Sequence, residues 1–185
     1  MTTINLKLYA QGAYTGGGTM AATQPATVKV HDASGVVETL TGTLATDGTV
    51  TVNASSTGDY HLSVRTWNTL GVFTAETVTL DGTTVNWDFT TAAEQAFGGN
   101  QVEVESGVFA LYSGDVDQND AITQNDLTLV SNASDNSQTG VVICDLNSDE
   151  SVDLSDVMIV TNNLGRVVVY SDTFGIGAPN PHRTH

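Results

Sequence analysis

The chain has 185 residues, 39% of them apolar and 14% charged, enough to bury a core and too apolar for a disordered segment. Twenty-one acids face five bases (Lys7, Lys29, Arg65, Arg166 and Arg183), for a formal charge of −16 at pH 7. So negative a surface repels nucleic acid and anionic lipid, which argues against both as partners. No apolar run reaches the ~20 residues that span a bilayer, so no membrane insertion is expected.

From the start to about residue 113 apolar residues alternate with polar ones. "INLKLYA" puts Ile4, Leu6 and Leu8 on one face, and "TVKVHDASG" does so with Val28 and Val30. "TVTVNAS" follows, then "DYHLSVRTW", in which Tyr60, Leu62 and Val64 alternate. "ETVTLDGTTVNWDFT" predicts two strands joined by a tight hairpin turn at Asp81-Gly82. "QVEVESGVFALYSG" closes the series, and "TAAEQAFG" is no more than a short helical turn. About six to eight short strands rich in Thr and Val predict a β-sandwich over residues 1–113.

At Gly114 the period changes. "TQNDLTLVSNAS" and "LSDVMIVTNNLG" each suit one short helix, with Gly165 as a C-terminal stop. The two units align at an offset of 30 residues, pairing Asp115 with Asp145, Asp126 with Asp156, and Val130 with Val160. This is an internal duplication. Residues 115–156 also hold ten acids and no Lys or Arg, whereas residues 1–114 hold ten acids and three bases.

Like charges so close together need a reason, and their spacing supplies one. Oxygen-bearing side chains fall at positions 1, 3, 5, 9 and 12 of each stretch: Asp115, Asp117, Asn119, Thr123 and Asp126, then Asp145, Asn147, Asp149, Asp153 and Asp156. Position 7, Ala121 or Ser151, adds its backbone carbonyl. That is the ligand pattern of an EF-hand-type loop, in which a hard cation takes about six to eight oxygens at ~2.3–2.6 Å. Two calcium ions are therefore expected. Position 6 departs from the usual glycine, being Asp120 and Glu150, and the second loop is expected to be the more strained. Position 12 is Asp rather than Glu, with a shorter reach.

Residues 114–165, through "GDVDQNDAITQNDLTLV" and "CDLNSDESVDLSDVMIVTNNLG", resemble a dockerin-type module. The resemblance implies two calcium loops whose helices pack together, calcium-dependent folding, and a helical face that docks a cohesin-like partner domain. The preceding stretch is similar to sandwich modules upstream of such units in large secreted bacterial surface proteins. It implies an Ig-like or carboxypeptidase-regulatory-like β-sandwich. The expected division is a sandwich at 1–113, the calcium unit at 114–166 and a C-terminal strand or tail at 167–185.

Other constellations are weak. Cys144 is the only cysteine and reads as a small buried apolar residue. His182 and His185 form an H-x-x-H that reads as a polar tail. There is no nucleophile elbow, P-loop or dinucleotide fingerprint, so no enzyme is expected. Trp67 and Trp87 suit packing beside strands, with a sugar-binding surface as the alternative. The opening "MTTINLKLYAQ" lacks the apolar core of a secretory signal, which leaves prior processing or another export route open. The apolar segment Val167–Tyr170 suits either pairing within the chain or donation to a neighbouring copy.

The leading functional expectation is a non-catalytic, calcium-stabilised extracellular or cell-surface protein that self-associates into a fibre, surface layer or virion appendage. The alternatives are an anchoring module for a cohesin-like domain and a glycan-binding sandwich.

Overall fold

Along β1 (Thr2–Lys7) burial alternates residue by residue, with Ile4 and Leu6 sealed while Asn5 and Lys7 point outward. A computed structural model describes residues 1–170 of the chain. After β1 come β2 (Tyr14–Gly16), β3 (Thr19–Met20), β4 (Gln24–Asp32), β5 (Gly35–Leu44), β6 (Thr49–Ala54) and β7 (Gly58–Thr66). Then follow β8 (Val72–Phe73), β9 (Val78–Leu80), β10 (Val85–Asp88), β11 (Val102–Glu105) and β12 (Val108–Ala110). Two helices, α1 (Gln124–Asp135) and α2 (Leu154–Asn163), follow, and residues 164–170 complete the described chain.

The longer strands build two sheets. One has the order β10-β1-β6, with β1 parallel to β10 and antiparallel to β6. The other has the order β5-β4-β7-β8, antiparallel throughout, with β9 also on β7. Ile4, Leu6, Val50 and Val52 of the first sheet face Val28, Val30, Leu62 and Val64 of the second in one core. Each such side chain removed from water contributes about 1.5–3 kcal/mol. The mainly β, sandwich-like architecture is as the alternation predicts.

Two local expectations fail. "ETVTLDGTTVNWDFT" is no hairpin: β9 pairs with β7 while β10 pairs in parallel with β1, so the chain crosses between sheets at Asp81-Gly82. The turn chemistry is real, since Asp81 Oδ1 accepts from Thr83 N and Gly82 sits at φ +95, but it serves a crossover. Strand β5 escaped notice because only Leu44 of it is buried and its inner face offers little apolar alternation.

The duplicated units interlock. Loop 1 (115–126) is braced by residues that follow α2: Ile122 N donates to Arg166 O, Val168 N to Asp120 O, and Ala121 bridges Val167. Loop 2 (145–156) is braced by residues that follow α1: Val152 N donates to Gln138 O, and Thr139 bridges Ser151. Each unit thus closes the loop of the other. Of the segment Val167–Tyr170, considered for donation to a neighbour, Val167 and Val168 pair within their own chain on loop 1. Residues 171–185, with the H-x-x-H at His182 and His185, lie outside the described residues.

Sandwich and helical unit share a second core. Leu70, Phe73 and Tyr112 pack with Val116, Ile122, Val130, Leu146, Val160 and Val168. Cys144 is buried here as a free thiol. Asn163, at the end of α2, donates from Nδ2 to Gln11 Oε1 (2.6 Å) and to Ser113 O (2.7 Å). Gly12 lies so close to loop 2 that a Cβ there would stand 2.4 Å from Leu146 O.

Candidate metal centre

Both loops take one conformation. Positions 4 and 6 have positive φ in each: Gln118 (58°) and Asp120 (70°), then Ser148 (61°) and Glu150 (69°). The left-handed turn usually given to glycine at position 6 is kept, so loop 2 is not reshaped relative to loop 1. Holding a non-glycine residue there costs roughly 1–2 kcal/mol, less for Asp than for Glu.

Backbone amides turn inward around the carboxylates. Asp115 accepts from Asn119 N (3.0 Å) and Asp120 N (3.2 Å); Asp145 accepts from Asp149 N (3.2 Å) and Glu150 N (3.0 Å). At position 12, Asp126 Oδ1 accepts from Val116 N (2.9 Å) and Asp156 Oδ1 from Leu146 N (2.7 Å). Their second oxygens accept from Thr123 N (2.8 Å) and Asp153 N (3.0 Å). Those last two bonds close capping boxes at the starts of α1 and α2, with Thr123 and Asp153 as the N-caps. Position 9, read from the sequence as a ligand, therefore caps a helix as well.

In loop 1 the structure brings together Asp115, Asp117 and Asp126, whose donor oxygens lie within 4.8 Å of one another. Asn119 is tied to the same group, donating from Nδ2 to Asp117 Oδ2 (3.0 Å). Loop 2 carries Asn147 at position 3, and its Nδ2 donates to Asp149 Oδ2 (2.8 Å). Ala121 and Ser151 hold equivalent places at the braces that close each loop.

Burial makes Asp115, Asp145 and Asp156 expensive to ionise. Asp115, Asp126 and Asp156 are fully buried and Asp145 nearly so. Burial pushes the Asp115 carboxyl up to about 6, against the pull of Arg65, and it raises Asp145 and Asp156 as well. A set of oxygen donors with its first and last carboxylates sealed and the others nearer the surface suits a hard divalent cation, which would offset that penalty.

One functional residue was missed from the sequence. Arg65, on β7, reaches out of the sandwich to Asp115 Oδ2 (3.0 Å from Nη2) and Asp120 Oδ1 (3.0 Å from Nη1). Tyr170 donates its hydroxyl to the other oxygen of Asp120, and Gln118 Nε2 donates to Trp67 O (2.7 Å). The signal was present in the alternation of "DYHLSVRTW", which turns Arg65 away from the core once Leu62 and Val64 point inward. Its target lies 50 residues on and was not legible.

The two indoles are half-buried: Trp87 packs at the edge of the sandwich core and donates Nε1–H to Gln95 O (3.2 Å). Among the described residues no helix is long and apolar enough to cross a membrane.

No protein-family model matches this chain, and no curated protein matches it. Among solved structures, the chain is similar to a chain of a type II cohesin–X-dockerin complex from Acetivibrio cellulolyticus carrying a C-terminal interface mutation. The TM-score is 0.57 at 20% identity, over 90% of this chain and 97% of that one. A second complex from the same organism, an N-terminal interface mutant, matches with a TM-score of 0.52 at 19% identity, over 90% and 97%. At such identity the likeness is one of fold: a mainly β, sandwich-like architecture.

Proposed function

We propose that this chain is a non-catalytic, calcium-stabilised partner-binding module of an extracellular or cell-surface protein. Two ions would be held, one by Asp115, Asp117, Asn119, Thr123, Asp126 and the carbonyl of Ala121, the other by Asp145, Asn147, Asp149, Asp153, Asp156 and the carbonyl of Ser151. When bound, calcium supplies positive charge to buried carboxylates. The chain's own part is to turn the amides of positions 5 and 6 inward, to start each helix from its loop, and to brace each loop with the opposite unit. An ion that binds the folded loops and not the unfolded chain stabilises the fold by mass action, by about 2.7 kcal/mol at a hundredfold excess over Kd.

The observation that carries the binding role is on α2. Leu154 and Met158, one turn apart, are 68% and 55% exposed, whereas the equivalent places on α1 are the polar Gln124 and Thr128. Two exposed large apolar side chains in a row on one copy of a duplicated helix suit a protein partner. The solved chains of similar fold come from cohesin–X-dockerin complexes, which makes a cohesin-type domain the first partner to try.

Purified protein would be titrated against a panel of cohesin domains in calcium and in EDTA. Calcium-dependent binding that weakens about tenfold or more in Leu154→Asp and Met158→Asp supports the module. Binding equally strong in EDTA, or unaffected by both substitutions, refutes it. Self-association, the leading expectation from the sequence, has no separate observation in its favour.

A further inference from the structure

Beside loop 1, one cleft gathers Lys29, His31 and Ser63, which the proposed function leaves unused, around Arg65 and Asp120. It has a volume of about 280 Å³ and lies on the outer face of the β4–β7 pair. Lys29 and His31 of β4 and Ser63 and Arg65 of β7 form its floor, while Phe73, Asp120 and Tyr170 also line it.

The cationic groups here are under-used. Among the described residues both ion pairs belong to Arg65, so Lys29 has none. Arg65 gives its two Nη atoms to Asp115 and Asp120, but among the described residues its buried Nε–H meets no acceptor. His31 is only 2% exposed; its Nε2 meets Ser63 Oγ at 2.8 Å, and its Nδ1 is buried without a partner. Burial, with Lys29 and His61 nearby, holds His31 down at about 4, so the ring is neutral at pH 7 and one tautomer presents Nδ1–H. The carboxylate of Asp120 is already taken by Arg65 and Tyr170.

Buried polar atoms without partners are costly and uncommon, and among the described residues two of them, Arg65 Nε and His31 Nδ1, stand here beside a lysine with no ion pair and two aromatic rings. We infer that this cleft binds a carboxylate carried on a small apolar or aromatic body, with Lys29, Arg65 Nε–H and His31 as donors and Phe73 and Tyr170 against the body. Two of the five bases of a chain at −16 meet at this spot, so the attraction is local rather than a property of the surface. The volume is at the small end for ligand sites, which limits the occupant to one ring and a short arm. A free organic acid and the C-terminal end of a polypeptide carry the same chemistry.

The test is NMR titration of the full chain in calcium with phenylacetate, with its neutral analogue phenylacetamide, and with acetyl-glycyl-phenylalanine bearing a free carboxylate. Saturable shifts confined to the cleft, at about millimolar affinity for a ligand of this size, are expected with the acids. Loss of about tenfold or more in affinity is expected with the amide, and with Lys29→Met, which keeps the stem and removes the charge. Tighter binding of phenylacetate assigns the site to small acids, and tighter binding of the peptide assigns it to chain ends. Equal affinity for acid and amide overturns the proposal, and so does scattered, unsaturable shifting. The amide comparison uses the unaltered protein, so it decides the matter even if the Lys29 variant fails to fold.

Discussion

The guanidinium of Arg65 stands 3.0 Å from Asp115 Oδ2, a contact between a sandwich strand and the first position of loop 1. It makes the two loops unequal. Among the described residues loop 2 receives no ion pair at all. Asp115 is wholly buried, so in metal-free protein Arg65 is the counter-charge that keeps it tolerable.

Arg65→Met should therefore cost about 3–5 kcal/mol in EDTA, the usual penalty for stranding one member of a buried pair. Calcium should recover part of that loss, so the calcium-induced rise in melting temperature grows relative to the parent protein. Calorimetry with and without the ion checks this. A variant that melts like the parent in EDTA would show the contact to be incidental.

The pH dependence follows from the same residue. Burial lifts the Asp115 carboxyl to about 6, above its ordinary value near 3.8, so between those limits the folded state holds more protons than the unfolded one. Metal-free stability should then be highest below about pH 4 with respect to this group, and should fall as pH rises through about 6. Holding that carboxyl at about 6 rather than near 3.8 corresponds to an upper limit of about 3 kcal/mol. Asp115→Asn should flatten the decline in EDTA, and calcium should flatten it in the parent. Chemical denaturation from pH 4 to 7 reads the slope directly.

Gly12 tests how the modules are joined. A methyl group there would meet Leu146 O at 2.4 Å and Leu146 C at 2.9 Å, both backbone atoms that cannot swing aside. Gly12→Ala should destabilise by about 1–3 kcal/mol, or roughly 2–4 °C in Tm per kcal/mol. Amide exchange should quicken around Leu146 before the strands of the sandwich core. Unchanged exchange in loop 2 would place the strain elsewhere.

Much of the fold was readable because burial and pattern share a period. Ile4, Leu6, Val28, Val30, Leu62 and Val64 alternate in the sequence and fill one core. Strand β5 was hard to read, since on this edge strand the inward face carries only Leu40 and Leu44, with Gly42 between them and Glu38 before them, and the outward face is mostly Thr. The crossover after β9 was hidden for a different reason. An Asp-Gly turn with Asp81 accepting from Thr83 forms equally well whether the next strand returns to its neighbour or passes to the other sheet.

The sequence by itself determined the alternation, the duplicated oxygen pattern from Asp115 to Asp156, and the places where each helix begins, because these depend on neighbours within about a dozen residues. Only the tertiary structure decided that α2 leads into the brace of loop 1 and α1 into that of loop 2, and that Arg65 faces Asp115. Those contacts join residues far apart along the chain, and nothing in local spacing encodes which distant partner will supply a charge or an amide.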